Sequence, residues 1–381
     1  MVESSIVNGC VVGPLGVAVG VFTVRLFELV CRLLCCFVLS PVPLCVRCYG
    51  ARDAVLSFCR FVSSFASSFF TDPLAMMSAA LPAQSASSAS PVSRAGLDAH
   101  CARTAALAAL CEADPATKAE SARALYAAVL DGRATCFADL ELDEPASLPG
   151  RPALPALVDP RQLKRRSMQS TQGRAVLLHA LAHIEFNAIN LALDAVWRFA
   201  GMPPAFYTDW LKVAAEEAYH FSLLAARLAE YGHVYGDFPA HDGLWDMCER
   251  TRGNVLARMA LVPRTLEARG LDASPPIRAR LQQAGDHASA AILDVILRDE
   301  IGHVLIGNRW FRHLCDVGGL DPHHTYTRLA DQYHAPKLRG PFNFEARRDA
   351  GFDETELAAL AALAGLDAGQ SAPPASPVER D

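Results

Sequence analysis

Glu185 is followed 32 residues later by Glu217-Ala-Tyr-His220, and Glu267 is followed 33 residues later by Glu300-Ile-Gly-His303. A glutamate and a histidine three apart on a helix project from one face, a turn apart. Two such pairs, each joined by a carboxylate from another helix, make four Glu and two His. That is the ligand set of di-iron and di-manganese carboxylate bundles. The spacing requires long helices whose inner faces meet, so it constrains the fold and the chemistry together.

The apolar residues around these carboxylates set the helix phase. Leu178, Ala182, Ile189, Ala192, Val196 and Phe199 follow a 3–4 rhythm, and Glu185 fills the vacancy between Ala182 and Ile189. Trp210, Ala214, Phe221, Leu224 and Leu228 bracket Glu217 in the same way, and Leu293, Leu297, Val304, Gly307 and Phe311 bracket Glu300. Such a stripe marks the buried face of a bundle helix. A carboxylate buried there costs several kcal/mol unless it is paired, neutralised or metal-bound. An oxygen-rich shell with imidazole suits iron or manganese better than zinc or copper.

Glu267 continues the rhythm of Leu256, Ala260 and Pro263, but Pro263 must kink or break its helix one turn earlier. Glu249 is the alternative third-helix ligand. Other candidates are read more plainly. His179 and His183 are packing or surface histidines, because His183 lies two residues from Glu185 and points elsewhere. Asp299 either hydrogen-bonds an imidazole or is a surface charge. Glu216 is read as solvated, and Tyr207, Tyr219 and Trp310 as packing side chains.

No strand pattern emerges, so the expected class is all-α. The core would be a four-helix bundle over 172–315, from helices near 172–199, 206–231, 242–269 and 286–314. A break from Gly270 to Pro276 and a short helix near 277–284 precede the last of these. Residues 97–171 supply two short helices, 97–110 and 118–130, and a proline-rich segment over 140–161 that wraps a surface in extended form. Residues 316–367 supply further helices near 322–334 and 353–364, with a loop carrying Pro336 and Pro341 between them. Residues 76–96 read as a linker and 368–381 as a disordered tail.

The first 75 residues differ from the rest. They hold seven of the twelve cysteines and an uncharged run from Ile6 to Val24. The run is just long enough to span a bilayer, yet it is glycine-rich, and a signal peptide fits it poorly. Either this stretch is a membrane anchor or translation begins at Met76 or Met77; the second reading is preferred. Cys45-Val46-Arg47-Cys48 resembles half a zinc site with no second half nearby. The remaining five cysteines are scattered and odd in number, which argues for reduced thiols and a cytoplasmic protein. A formal charge of -6 gives no attraction to nucleic acid, and Lys164-Arg165-Arg166 reads as a solvated loop.

The segments His183-Ile-Glu185, Glu216-Glu-Ala-Tyr-His220, Leu266-Glu-Ala-Arg-Gly-Leu-Asp272 and Asp299-Glu-Ile-Gly-His303 resemble an uncharacterised bacterial family, domain of unknown function 455, of the ferritin-like superfamily. Pro149-Gly-Arg-Pro152, Tyr235-Gly-Asp-Phe238, Val262-Pro-Arg264 and Pro341-Phe-Asn343 extend the likeness over about 97–365. More distantly the pattern is similar to transfer-RNA hydroxylases, ribonucleotide reductase small subunits and rubrerythrins. The resemblance implies a ferritin-like core with a di-metal site at Glu185, Glu217, His220, Glu267, Glu300 and His303, and it supplies no substrate. The expected activity is that of a di-iron oxidoreductase acting on dioxygen or peroxide, with manganese as the other metal. Glu217 and Glu300 would bridge, Glu185 and Glu267 would be terminal, and a ferredoxin or flavin reductase would supply electrons. The proline-rich segment and the Pro336–Arg348 loop would cover the site, and a homodimer fits this class. An iron-oxidising storage protein and a metal-free interaction bundle are the competing expectations.

Overall fold

The computed structural model describes residues 100–163 and 166–365. The hydrophobic extension, the linker, Lys164, Arg165 and the tail lie outside those residues. The rest is all-α: helices joined by loops, with two isolated β-bridges and no strand among the described residues.

Four helical rods carry the six candidate residues. The first two are α3 (Thr171–Arg198) and α4 (Pro204–Glu230). The third is composite: α6 (Val255–Leu261), a π-helical segment (Val262–Glu267) and α7 (Ala268–Gln283). The fourth is α8 (His287–Gly318). The helix α3 packs along α4, and α8 packs against α4, α6, the π segment and α7. Around them stand α1 (Ala102–Cys111), α2 (Pro115–Leu130), α5 (Gly243–Arg250), α9 (Pro322–Gln332), α10 (Phe344–Asp349) and α11 (Glu354–Leu363). By length and composition α3 could cross a bilayer, but 72% of its most apolar window is buried inside the protein, as befits a core helix.

Helix starts follow side-chain capping. Asp114, Ser170, Asn254, Asp286 and Asp321 each accept a backbone N–H of their own first turn, and Asp353 and Glu356 form a reciprocal capping box. The third rod departs from the expected continuous 242–269. It breaks after Arg250, and Asn254 recaps it by accepting from the Ala257 N–H at 2.9 Å.

At Pro263 the chain widens into π geometry instead of stopping. The Thr265 hydroxyl donates to the Ala260 carbonyl at 2.8 Å, which satisfies a group the irregular turn exposes. The expected break from Gly270 to Pro276 is also absent, since α7 runs through Pro275 and Pro276. Pro275 cannot donate to the Leu271 carbonyl four residues back, and Asn343 Nδ2 donates to it instead at 3.2 Å. A partner from the C-terminal loop thus stands in for the missing helix bond. That loop also contains α10, which the expectation left as coil.

The proline-rich stretch is extended, as its composition requires. It is anchored by Gly150 N–H on the Leu110 carbonyl (2.8 Å) and by Val158 N–H on the Ala240 carbonyl (2.9 Å). Lys118, fully buried in α2, ties it inward by donating to the Gly150 carbonyl at 2.8 Å. Leu338, Phe342 and Phe344 of the Pro336–Arg348 loop pack on the same small apolar cluster as Leu297 and Ile301 of α8, which also holds Ala268 and Leu271 of α7. The cysteines Cys101, Cys111, Cys136, Cys248 and Cys315 are all free thiols.

Candidate metal centre

The buried stripes of the four rods converge, and the six side chains take the places of core apolar residues. Glu217, His220 and His303 are fully inaccessible, and Glu185, Glu300 and Glu267 are exposed by only 3%, 7% and 8%. His220 Nδ1 lies 3.4 Å from both Glu185 Oε2 and Glu217 Oε2. His303 Nδ1 lies 2.9 Å from Glu217 Oε1 and 3.8 Å from Glu300 Oε2. The two imidazole rings are 5.8 Å apart. Glu217 is therefore shared by two donor groups, Glu185–Glu217–His220 and Glu217–Glu300–His303, whose ligand atoms lie close enough to hold a metal ion.

These contacts are close in distance but poorly aligned for hydrogen bonds. Glu185 Oε2, Glu300 Oε2, both oxygens of Glu217, both of Glu267 and Nδ1 of each histidine have no hydrogen-bond partner. So many orphaned donors at one place oppose the rule that buried polar groups are paired. The outer nitrogens are held firmly by contrast. His220 Nε2 donates to Asp299 Oδ2 at 3.1 Å, and His303 Nε2 donates to Glu216 Oε2 at 2.9 Å. Each imidazole so turns its bare Nδ1 inward, the orientation a carboxylate–histidine–metal arrangement requires.

Charge balance without a cation falls to protons. Burial and the Glu217 charge hold Glu185 well above the ordinary carboxylate range; burial with the Glu300 and Glu217 charges does the same for Glu267. Burial and Glu217 also raise Glu300. Burial opposes the charge on Glu217 too, but His303 and His220 overcome it and hold Glu217 below its usual value. Burial disfavours both imidazolium ions, yet Glu185 and Glu217 push His220 up to about 11, and Glu217 with Glu216 carries His303 well above its ordinary value. Four carboxylates against two divalent cations would balance without those protons.

Glu267 is in neither of the two donor groups; it is buried nearby, where burial and the Glu300 and Glu217 charges hold its carboxyl up. It is the last residue of the π segment, so the irregular turn delivers it. Glu249 does not join: it sits on α5, partly exposed, with Arg252 3.9 Å away. His179 and His183 pack as expected. Gly236 N–H donates to His179 Nε2 at 2.9 Å, and His183 Nδ1 meets the Tyr235 hydroxyl at 2.8 Å. Tyr207 is a core residue whose hydroxyl donates to the Phe199 carbonyl at 2.9 Å, and Trp310 Nε1 donates to Asp209.

Glu216 corrects the reading of a solvated charge. It is half-buried, salt-bridged to Lys212 at 2.6 Å and bonded to His303. Asp299 does hydrogen-bond an imidazole, that of His220 on α4. The available signal was the acidic residue directly before the glutamate in both motifs, Glu216-Glu217 and Asp299-Glu300. A third acidic grouping, His323, Asp353 and Glu356, is already answered by Arg264 and Arg312.

Fold and site thus define an all-α protein with buried carboxylate–imidazole clusters able to hold a metal. The chain belongs to the family described as protein of unknown function (DUF455), whose model matches residues 111–358. An uncharacterized protein of Haemophilus influenzae is 50% identical over 213 residues, which cover 54% of this chain and 74% of that protein. No solved structure matches the chain.

Proposed function

We propose that Glu185, Glu217, His220, Glu267, Glu300 and His303 hold two metal ions, iron with manganese as the alternative. The protein is then a ferritin-like, cytoplasmic oxidoreductase that activates dioxygen or peroxide. One observation supports this reading: unpartnered oxygen and nitrogen atoms from three rods face one another in the core, with the unpartnered, buried Glu267 on the other rod, while the outer nitrogen of each histidine is anchored. Bound there, a redox-active pair of ions would supply electrons to dioxygen or peroxide two at a time, replenished by a ferredoxin or flavin reductase.

The chain's own part is positional. Glu217 is the one carboxylate common to both groups and would hold both ions, a role we also give to Glu300. Asp299 and Glu216 keep the proton on Nε2 and leave Nδ1 free to bind. The apolar stripes exclude bulk water from all six residues.

Elemental analysis with Mössbauer spectroscopy on protein expressed in iron-rich medium tests the reading. The expected result is about two iron ions per chain, the number the ligand set accommodates, and a loss of iron in Glu217→Gln. Less than one metal per chain, with stability unchanged by Glu217→Ala, would establish a metal-free bundle instead. A cage-sized species in gel filtration would point to iron storage.

A further inference from the structure

A second site lies on the far side of α3. A cavity of about 660 Å³ opens between the outer face of α3, the loop ahead of α5 and the C-terminal half of α7. Its α3 wall includes Val176, Ala180, His183 and Asn187. At 3.6 residues per turn these lie about 140–180° around the helix from Glu185, and Leu177 and Ile184 on the same wall about 80–100°. The cavity and the carboxylate cluster are therefore separated by the helix itself.

Three features of the wall define what fits it. Its body is apolar, and Ile184 stands 41% exposed in it. Among the described residues its charged side chains other than histidine are Arg166 and Arg280, both exposed, and neither has an ion-pair partner among them. No acidic side chain lines it among the described residues, although the chain carries a net charge of -6. Asn187, 1% exposed, contributes a buried Oδ1 with no hydrogen-bond partner, while its Nδ2 is taken by His183. The volume falls in the range of small-molecule pockets.

We propose that this cavity binds an amphipathic organic anion, its apolar body over Leu177, Ile184 and Leu244 and its charged head at Arg166 and Arg280. The site is independent of metal binding. A guanidinium offers paired donors to a carboxylate or a phosphate alike, so the head is identified by its charge, and the two chemistries are separated by experiment.

Calorimetry on the full, iron-loaded chain tests this with decanoate, decyl phosphate, decanol and decyltrimethylammonium. The two anions are expected to bind saturably at one site, and their relative affinity names the head. Decanol should bind at least tenfold more weakly, decyltrimethylammonium not at all. Arg280→Gln should weaken the anions roughly tenfold, the scale of one charge-assisted hydrogen bond. Ala180→Trp, on an exposed helix position, should fill the cavity and abolish binding with iron content unchanged. Glu217→Gln should lose iron and still bind decanoate, so failure of this proposal is distinguishable from failure of the metal reading. Absent saturation, equal affinity for decanol and decanoate, or undiminished binding in Ala180→Trp would each overturn it.

Discussion

Gly307→Ala isolates the contact that delivers Glu267. Where α8 crosses the π segment, a Cβ at Gly307 would stand 2.5 Å from Pro263 Cβ and 2.6 Å from its Cγ. The proline ring cannot swing aside, because its φ is fixed by the ring itself. Either α8 or the π segment must shift. Gly302 sits five residues earlier on the same helix, and a Cβ there meets nothing within 4 Å. Both substitutions gain the helix preference of alanine over glycine, about 0.5–1 kcal/mol. Only Gly307→Ala adds overpacking, which costs about 1–3 kcal/mol. The shared gain cancels in the comparison, so the gap between the variants equals the packing cost. At roughly 2–4 °C per kcal/mol for a domain of this order of size, Gly307→Ala should melt several degrees below Gly302→Ala. It should also hold less iron, because Glu267 is four residues from the displaced Pro263. Thermal melts of the metal-free proteins, followed by metal analysis, separate the two effects. Equal melting temperatures for the two variants would refute the packing of α8 on the π segment.

Asp299→Asn and Glu216→Gln should each weaken metal binding about 10–100-fold, the usual cost of losing a carboxylate behind a histidine ligand; unchanged affinity by metal titration would remove them from the site. His179 is held at about 4 by burial, against its ordinary 6.5, so the unfolded chain takes up a proton that the folded protein refuses as pH falls through 6.5. Stability should therefore decline from pH 6.5 down to about 4, by up to about 3 kcal/mol from this residue. His179→Gln, which can still accept the Gly236 N–H, should flatten that profile in denaturant titrations across pH. Glu356→Ala should cost about 3–5 kcal/mol by stranding the buried Arg264 guanidinium among Phe311, Tyr326 and Phe352. Adding Arg264→Met should recover much of that loss, and a double variant no better than the single would show that the ion pair matters less than its surroundings.

The apolar rhythm made the long helices legible because burial of a stripe is a property of each helix alone. It placed Glu185, Glu217 and Glu300 on inner faces, where they are found. What depended on other segments was not legible. Pro263 and Pro275 read as breaks, since nothing local replaces their missing donors. At Pro275 the replacement is an amide from Asn343, distant in the chain, and at Pro263 the chain continues through a π turn. The cavity on α3 escaped for the same reason: Arg166, Ile184 and Arg280 acquire a common meaning only when three segments are brought together.

The doubled motif carries more than its ligands once the helix phase is followed one residue back. Glu216 and Asp299 each precede a ligand glutamate, which rotates them about 100° off the inner face of their own helix. The histidine of its own motif lies four residues on, an i,i+4 neighbour on the same helix, yet that is not the imidazole each acid binds. Each instead faces the neighbouring rod, where Glu216 of α4 receives His303 of α8 and Asp299 of α8 receives His220 of α4. The exchange is reciprocal, so α4 and α8 are cross-braced at both histidines, and neither imidazole can turn without breaking a bond to the other helix. Lys212 on α4 and Arg298 on α8 repeat the symmetry one step further out, each pairing with the acid on its own helix. A metal-free interaction bundle has no use for two imidazoles held outward at one nitrogen and left bare at the other. Two cations between the rods, as proposed above, would give those groups a partner.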